Sequence, residues 1–218
     1  MLWEACDKEK AKYYRIVKQA TDHKQLWHVE DYYISGEIQW RGYMSSLEPE
    51  LIEGHCVYWY TSGFRQAEAI YKAGKLEGIV FYWYPNGQKK WEAYYKDGKK
   101  HGVRTSWYDT GEKQSVEHHQ NGEIAGMVTT WHKNGKIAST VNYKNGKMEG
   151  KKTCWFDTGE KKSEESYKAG QLSGISIVWH KNGQKKAQMR YKAGEIVGKT
   201  KNWNEAGDKV ALKEEQGK

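Results

Sequence analysis

The chain has 218 residues, 37% hydrophobic and 29% charged, with 11 Trp and 16 Tyr, 23 Gly against 2 Pro, 3 Cys and a formal net charge of +8. That length holds one ordinary domain or one elongated array. The wealth of aromatic rings argues against disorder, no apolar run reaches transmembrane length, and the odd set Cys6, Cys56 and Cys154 builds neither a disulfide framework nor a zinc site.

Charge is unevenly placed. Residues 1–53 carry seven Lys/Arg against ten Asp/Glu, a net −3, and residues 54–218 carry the other 29 against 18, a net +11. A basic array invites an acidic partner, and it equally describes a surface kept soluble by lysine. Free thiols and an N-terminus without an apolar stretch lead to the expectation of a cytoplasmic protein, with export as the alternative if a signal segment has been removed.

In chain order, residues 1–53 read as a divergent N-terminal cap. A short helix over Glu4–Lys12 and a strand over Tyr13–Val17 are the elements its first part can form. Tyr32-Tyr33-Ile34-Ser35-Gly36 and then Glu37–Tyr43 make one degenerate copy of the unit that follows, with a three-residue insertion within Ser45–Glu53. Atypical terminal copies are expected where an array must be capped.

From residue 54 the period is 24. Gly54, Gly78, Gly102, Gly126, Gly150, Gly174 and Gly198 open the copies, and Trp59, Trp83, Trp107, Trp131, Trp155, Trp179 and Trp203 follow five residues after each. A second glycine comes four residues after every Trp and a third closes each complete copy. In the copy at Gly78, Ile79–Tyr84 is a β-prone strand, Pro85-Asn86-Gly87 a turn, Gln88–Lys96 a second strand and Asp97-Gly98 a tight hairpin turn. Tandem hairpins over residues 54–210 and a polar C-terminal tail over 211–218 complete the division.

Alternation along the strands assigns faces. Trp83 shares a side with Phe81 and Ile79, and Tyr95 shares one with Ala93 and Trp91. A ladder of the Trp and Tyr slots is therefore the expected core, each ring burying roughly 150–250 Å². On the other face a row of exposed rings is expected at Tyr60, Tyr84, Tyr108, His132, Phe156 and His180. Two readings of that row stay open: a recognition stripe or packing of the sheet's second side. Lysines also fall in register just after the turn, at Lys89, Lys90, Lys161, Lys162, Lys185 and Lys186. They suit edge protection or a ladder that reads phosphates and acids. These twelve residues are the candidate partner-binding set.

No HExxH, phosphate-binding loop or GxSxG occurs. His118-His119 are adjacent, so on a strand they point to opposite faces. No catalytic, metal or cofactor residues are expected, and no small-molecule substrate.

Gly78, Trp83-Tyr84, Asn86-Gly87, Tyr95-Lys96 and Gly98-Lys99 together resemble the variant MORN repeat, as do the copies at Gly126 and Gly174. The resemblance covers roughly residues 27–210. Val29–Gln39 is further similar to the leading copy of bacterial members, often from Bacteroidetes, which are commonly labelled antitoxins of toxin–antitoxin systems. It implies an all-β fold in which period-24 hairpins form an elongated, twisted single antiparallel sheet. It also implies a non-enzymatic protein- or lipid-binding role, and the motif residues it carries over are structural. The expected partner is a protein, with a cognate toxin as the specific form. An anionic phospholipid or nucleic acid and a purely structural envelope or assembly role are the alternatives. Thr110-Gly111 and Thr158-Gly159 in place of Asn-Gly, and His119 in place of Tyr, depart from the pattern.

Overall fold

The computed structural model describes residues 13–21 and 25–210. The expected helix over Glu4–Lys12, Cys6 and the tail over 211–218 lie outside the described residues. Among those described, every regular element is a strand and the pairings are antiparallel, hairpin after hairpin. The all-β reading therefore holds. The chain forms two compact units, Met1–Gly111 and Glu112–Lys218.

The first unit contains β1 (Tyr13–Gln19), β2 (Trp27–Tyr33), β3 (Ile38–Leu47), β4 (Glu50–Trp59), β5 (Arg65–Lys72), β6 (Lys75–Leu76), β7 (Gly78–Trp83), β8 (Lys89–Lys96) and β9 (Lys99–Trp107). The strand expected near Tyr13 is present, and it pairs along its whole length with β2. The degenerate copy is the β2–β3 hairpin, closed by Gly36 N–H donating to Tyr33 O at 2.9 Å, just as Gly63 donates to Tyr60 O at 2.9 Å. The insertion lengthens the next hairpin, so β3 and β4 run ten residues each. Arg15 on β1 forks onto Asp31 of β2 at 2.7 and 2.9 Å and also pairs with Glu50.

The second unit contains β10 (Lys113–Gln120), β11 (Glu123–Ile124), β12 (Gly126–Trp131), β13 (Ile137–Lys144), β14 (Lys147–Trp155), β15 (Lys161–Lys168), β16 (Gln171–Leu172), β17 (Gly174–Trp179), β18 (Lys185–Lys192), β19 (Glu195–Ile196), β20 (Lys201–Trp203) and β21 (Lys209–Val210). The last copy is thus the short β20–β21 hairpin.

The glycines serve two kinds of backbone. Asp97 and Gly98 both have positive φ, 51° and 78°, which is the type I′ geometry that matches strand twist. Gly102 also has positive φ, 79°, but it lies inside β9, where the ladder to β8 shifts register between Ala93 and Tyr95. There the glycine permits a bulge rather than a turn.

A second bulge fixes which face is buried. The β7–β8 ladder shifts between Tyr82 and Trp83, so Trp83 pairs with Lys89 while Tyr82 pairs with Trp91 and Val80 with Ala93. The extra residue moves the first strand by one relative to its partner, and a one-residue slip exchanges faces. The side of Tyr95, Ala93 and Trp91 is the core side, as expected, but it is shared with Val80 and Tyr82. The Trp slot is on the other side. All seven tryptophans are half-buried, so the expectation that they form the core is corrected.

The core of the first unit is Val29, Trp40, Met44, Cys56, Ala69 and Val80, with Tyr58, Tyr71, Trp91 and Tyr95 packed against it. Tyr82 stacks on Trp91 at 5.4 Å and 10°. In the second unit the same slots bury Val141, Ser163, Ser176 and His119, a smaller and more polar set.

Met44 is 2% exposed and Met127, on the far side of β12, is 59% exposed. Met44→Ala should cost about 2–5 kcal/mol and Met127→Ala within about 0.5 kcal/mol of zero, read as shifts in urea unfolding. Equal costs would mean that the buried face is misassigned. Ala169 sits at φ 51° in a slot that holds Asp97, Asn121 and Asn145 in three copies and Ala73 and Ala193 in two others. A left-handed conformation costs a non-glycine residue roughly 1–2 kcal/mol unless a short polar side chain supports it, so Ala169→Asn should stabilise by about 0.5–1 kcal/mol in the same assay.

Candidate functional site

The ring slot beyond each Trp was expected to be exposed. It is half-buried, and its polar atoms reach forward to the next copy. Tyr60 Oη–H donates to Trp83 O at 2.7 Å and Tyr84 Oη–H to Trp107 O at 2.9 Å. His132 and His180 use Nε2 for the same bond, to Trp155 O and Trp203 O, both at 3.0 Å. A carbonyl only accepts, so Nε2 carries the proton in both rings. Tyr33 in the degenerate copy makes the same bond to Trp59 O at 2.9 Å. Tyr108 is half-buried in the same slot. Phe156 has no donor, and instead Lys162 and Lys181 each place Nζ 5.8 Å from its ring.

A second clip lies one turn residue further on. Asn86 Nδ2 donates to Asp109 O at 2.7 Å while its Oδ1 accepts from Gln88 N at 3.0 Å. Asn134 and Asn182 repeat both bonds. The side chain thus shapes its own turn and ties it to the following copy.

The registered lysines divide between faces because adjacent residues on a strand alternate. Lys89 Nζ is 5.1 Å from the Phe81 ring and 5.2 Å from that of Trp107, and it pairs with Glu92 at 2.8 Å. Lys161 repeats this with Trp179 at 5.2 Å and Glu164 at 3.0 Å. Lys113 covers Trp131 at 5.5 Å, and Arg41 covers Trp59 at 5.8 Å. In each case the cation lies eighteen residues before the ring it covers. Lys90 turns the other way, 5.6 Å from Tyr82 and 5.3 Å from Tyr84. Lys185 and Lys186 are exposed. A half-exposed cation–π contact contributes about 0.5–1 kcal/mol, comparable with a surface ion pair, so these are modest but repeated links.

Sequence reasoning missed the glutamate before three of the seven opening glycines. Glu53, Glu77 and Glu149 accept from the turn amides of Ala73, Asp97 and Ala169 at 2.7, 2.9 and 2.8 Å. Their place one residue before Gly54, Gly78 and Gly150 was the available signal.

The perturbed thiol and phenols are held neutral. Burial pushes the Cys56 thiol up to about 11, the opposite of an activated thiolate. Burial and the carboxylate of Glu165, 2.8 Å away, push the Tyr167 phenol up to about 12. Neither is the environment of a nucleophile. A hollow of about 250 Å³ against Phe64, Arg65, Trp83 and Gly87 is shallow, and Arg65 there turns to Glu68 at 2.9 Å.

If the ring slot links copies, Tyr84→Phe should cost about 0.5–1.5 kcal/mol, the net value of one hydrogen bond, by losing the bond to Trp107 O while keeping the ring under Lys90. Urea unfolding measures it, and no change would show the bond to be idle.

Residues 76–97 and 125–145 each match the family described as MORN repeat variant. No curated protein matches the chain. The matched segments lie in the copies at Gly78 and Gly126, whose turns and rings are described above, and these two copies are similar to MORN-type repeats.

Proposed function

We propose that this chain is a non-enzymatic scaffold that binds a partner protein across its sheet surface, in the specific form of an antitoxin or immunity-type inhibitor of a bacterial toxin. One observation carries the reading. The residues that recur in register, the rings at Tyr60, Tyr84, His132 and His180 and the cations at Lys89, Lys113 and Lys161, are engaged with the next copy. Recognition then falls to exposed positions that differ from copy to copy. An irregular surface on a regular frame suits one folded partner better than a uniform polymer. The two matched MORN-type segments support a binding role in general, and we extend that role to a toxin as partner.

Affinity capture of the tagged full chain from its native host tests this. The expected result is one protein at near-equimolar ratio that stays bound at high salt and suppresses that protein's toxicity when the two are co-expressed. Capture of nucleic acid or lipid alone, released steeply as salt rises, would replace the protein partner with an anionic surface drawn to the net +11 of residues 54–218.

A further inference from the structure

Four large side chains form an open apolar row in the first unit. Ile70, Ile79, Tyr94 and Val103 are 46, 49, 39 and 46% exposed. They occupy successive strands β5, β7, β8 and β9. Ile79 is the register partner of Tyr94. Ile70 O accepts from Glu77 N at 2.8 Å, which sets it beside the start of β7. Val103 precedes Arg104, the partner of Ala93, and so stands next to Tyr94. At about 4.8 Å between strands the row runs roughly 14 Å. It shares a face with Phe81, on the side away from the core.

One flank of the row is cationic. Lys72 and Lys96 are two residues beyond Ile70 and Tyr94 and so share their face. Their register partners across the turns are Lys75 and Lys99. Like charges directly opposite each other destabilise a hairpin, yet two consecutive hairpins end this way. Ion pairs are recorded for none of the four among the described residues. Glu68 is committed to His55 and Arg65 and Glu92 to Lys89, while Glu53 and Glu77 enter the two lysine turns on the backbone amides of Ala73 and Asp97 and not on the lysine side chains.

We propose that this row and its lysine flank are the docking surface for an amphipathic helix of the partner, with apolar side chains along one face and Asp or Glu beside them. The proposal rests on the protein-binding reading and gives that partner its chemistry. A helix rises about 5.4 Å per turn, close to the strand spacing, so one apolar side chain per turn meets one strand of the row. Its acidic edge would fall on Lys72, Lys75, Lys96 and Lys99 and relieve their repulsion. A membrane fits the same surface less well. The turn tips, Ala73-Gly74 and Asp97-Gly98, carry no large apolar side chain to insert edge-on. A face-on approach would press Glu68 and Glu92 against the headgroups.

The test is fluorescence anisotropy of the full chain with a labelled synthetic helix bearing leucine at i, i+3, i+4 and i+7 and glutamate elsewhere. The matching lysine helix and anionic and neutral phospholipid vesicles are run alongside. The expected result is at least tenfold preference for the acidic helix. Ile79→Thr with Val103→Thr should weaken that binding about tenfold at unchanged unfolding temperature. Lys72→Glu with Lys96→Glu, all on exposed positions, should reverse the preference towards the basic helix. Equal binding of both helices, indifference to both double variants, or vesicle binding in place of helix binding overturns the proposal. Capture from the native host separates the two levels. A partner held equally by wild type and both variants removes this surface and leaves the protein-binding reading. No partner for wild type removes the reading and the surface with it.

Discussion

In the copies at Gly54, Gly78, Gly126, Gly150 and Gly174 the first strand meets its partner one residue out of step at the tryptophan, as at Tyr82/Trp83, Thr130/Trp131 and Val178/Trp179, and the degenerate copy does the same at Asp31/Tyr32. Much of the repeat follows from that bulge. It sends the small side chains Val80 and Ala93 to one face and the tryptophan to the other. It sets Lys89 opposite Trp83, and alternation then places Lys89 over Trp107 and Lys90 over Tyr82. It also ends the first strand at a tryptophan whose carbonyl takes a ring donor from the preceding copy.

Those links set how stability is distributed. A hairpin alone is marginal in water, and an array gains stability from each interface between neighbours. Here one interface combines the strand ladder, the ring-to-carbonyl bond, the asparagine clip and the glutamate on the turn amide. None of these is strong by itself. Their repetition compensates for a core that is thin on one unit: the aromatic cluster around Trp40, Tyr58 and Trp91 has no counterpart of equal size over Ser163, Ser176 and His119. A polar buried face must satisfy its groups locally, and Glu165 with Tyr167, or Glu117 with His119 at 3.0 Å, do so within one strand.

The period, the strands, both turn types and the insertion near Ser45–Glu53 were legible because glycine, Asn-Gly and Asp-Gly report backbone directly. The buried face of the first strand was not. Counting outwards from the Asn86-Gly87 turn without a bulge pairs Phe81 with Trp91 and Ile79 with Ala93, and then Trp83 joins the core by parity. A single unpaired residue, Lys90, reverses the answer, and nothing in the local composition announces it. The ring slot misled for a related reason. Tyr84 looks free on its own strand, and its partner, the carbonyl of Trp107, is twenty-three residues away in a bond that no single hairpin displays.

This changes what regularity means for function. A residue that recurs every 24 positions meets the same neighbour each time, and in this chain that neighbour is the next copy. The registered tryptophans and rings and the post-turn cations Lys89, Lys113 and Lys161 satisfy one another, which leaves them little to offer a ligand. Departures from the pattern are free of that duty. The slot of Ile79 and Val103 also holds Met127 and Ile175, with His55 and Lys151 in other copies, and the slot of Ile70 and Tyr94 holds His118, Asn142, Ser166 and Arg190, so the two slots are apolar together only in the first unit. Their clustering is therefore not imposed by the repeat. The opposed lysines beside them are a local cost in the isolated chain. An acidic surface covering that edge would turn the same four charges from a repulsion into an attraction, so the edge is most stable when it is occupied.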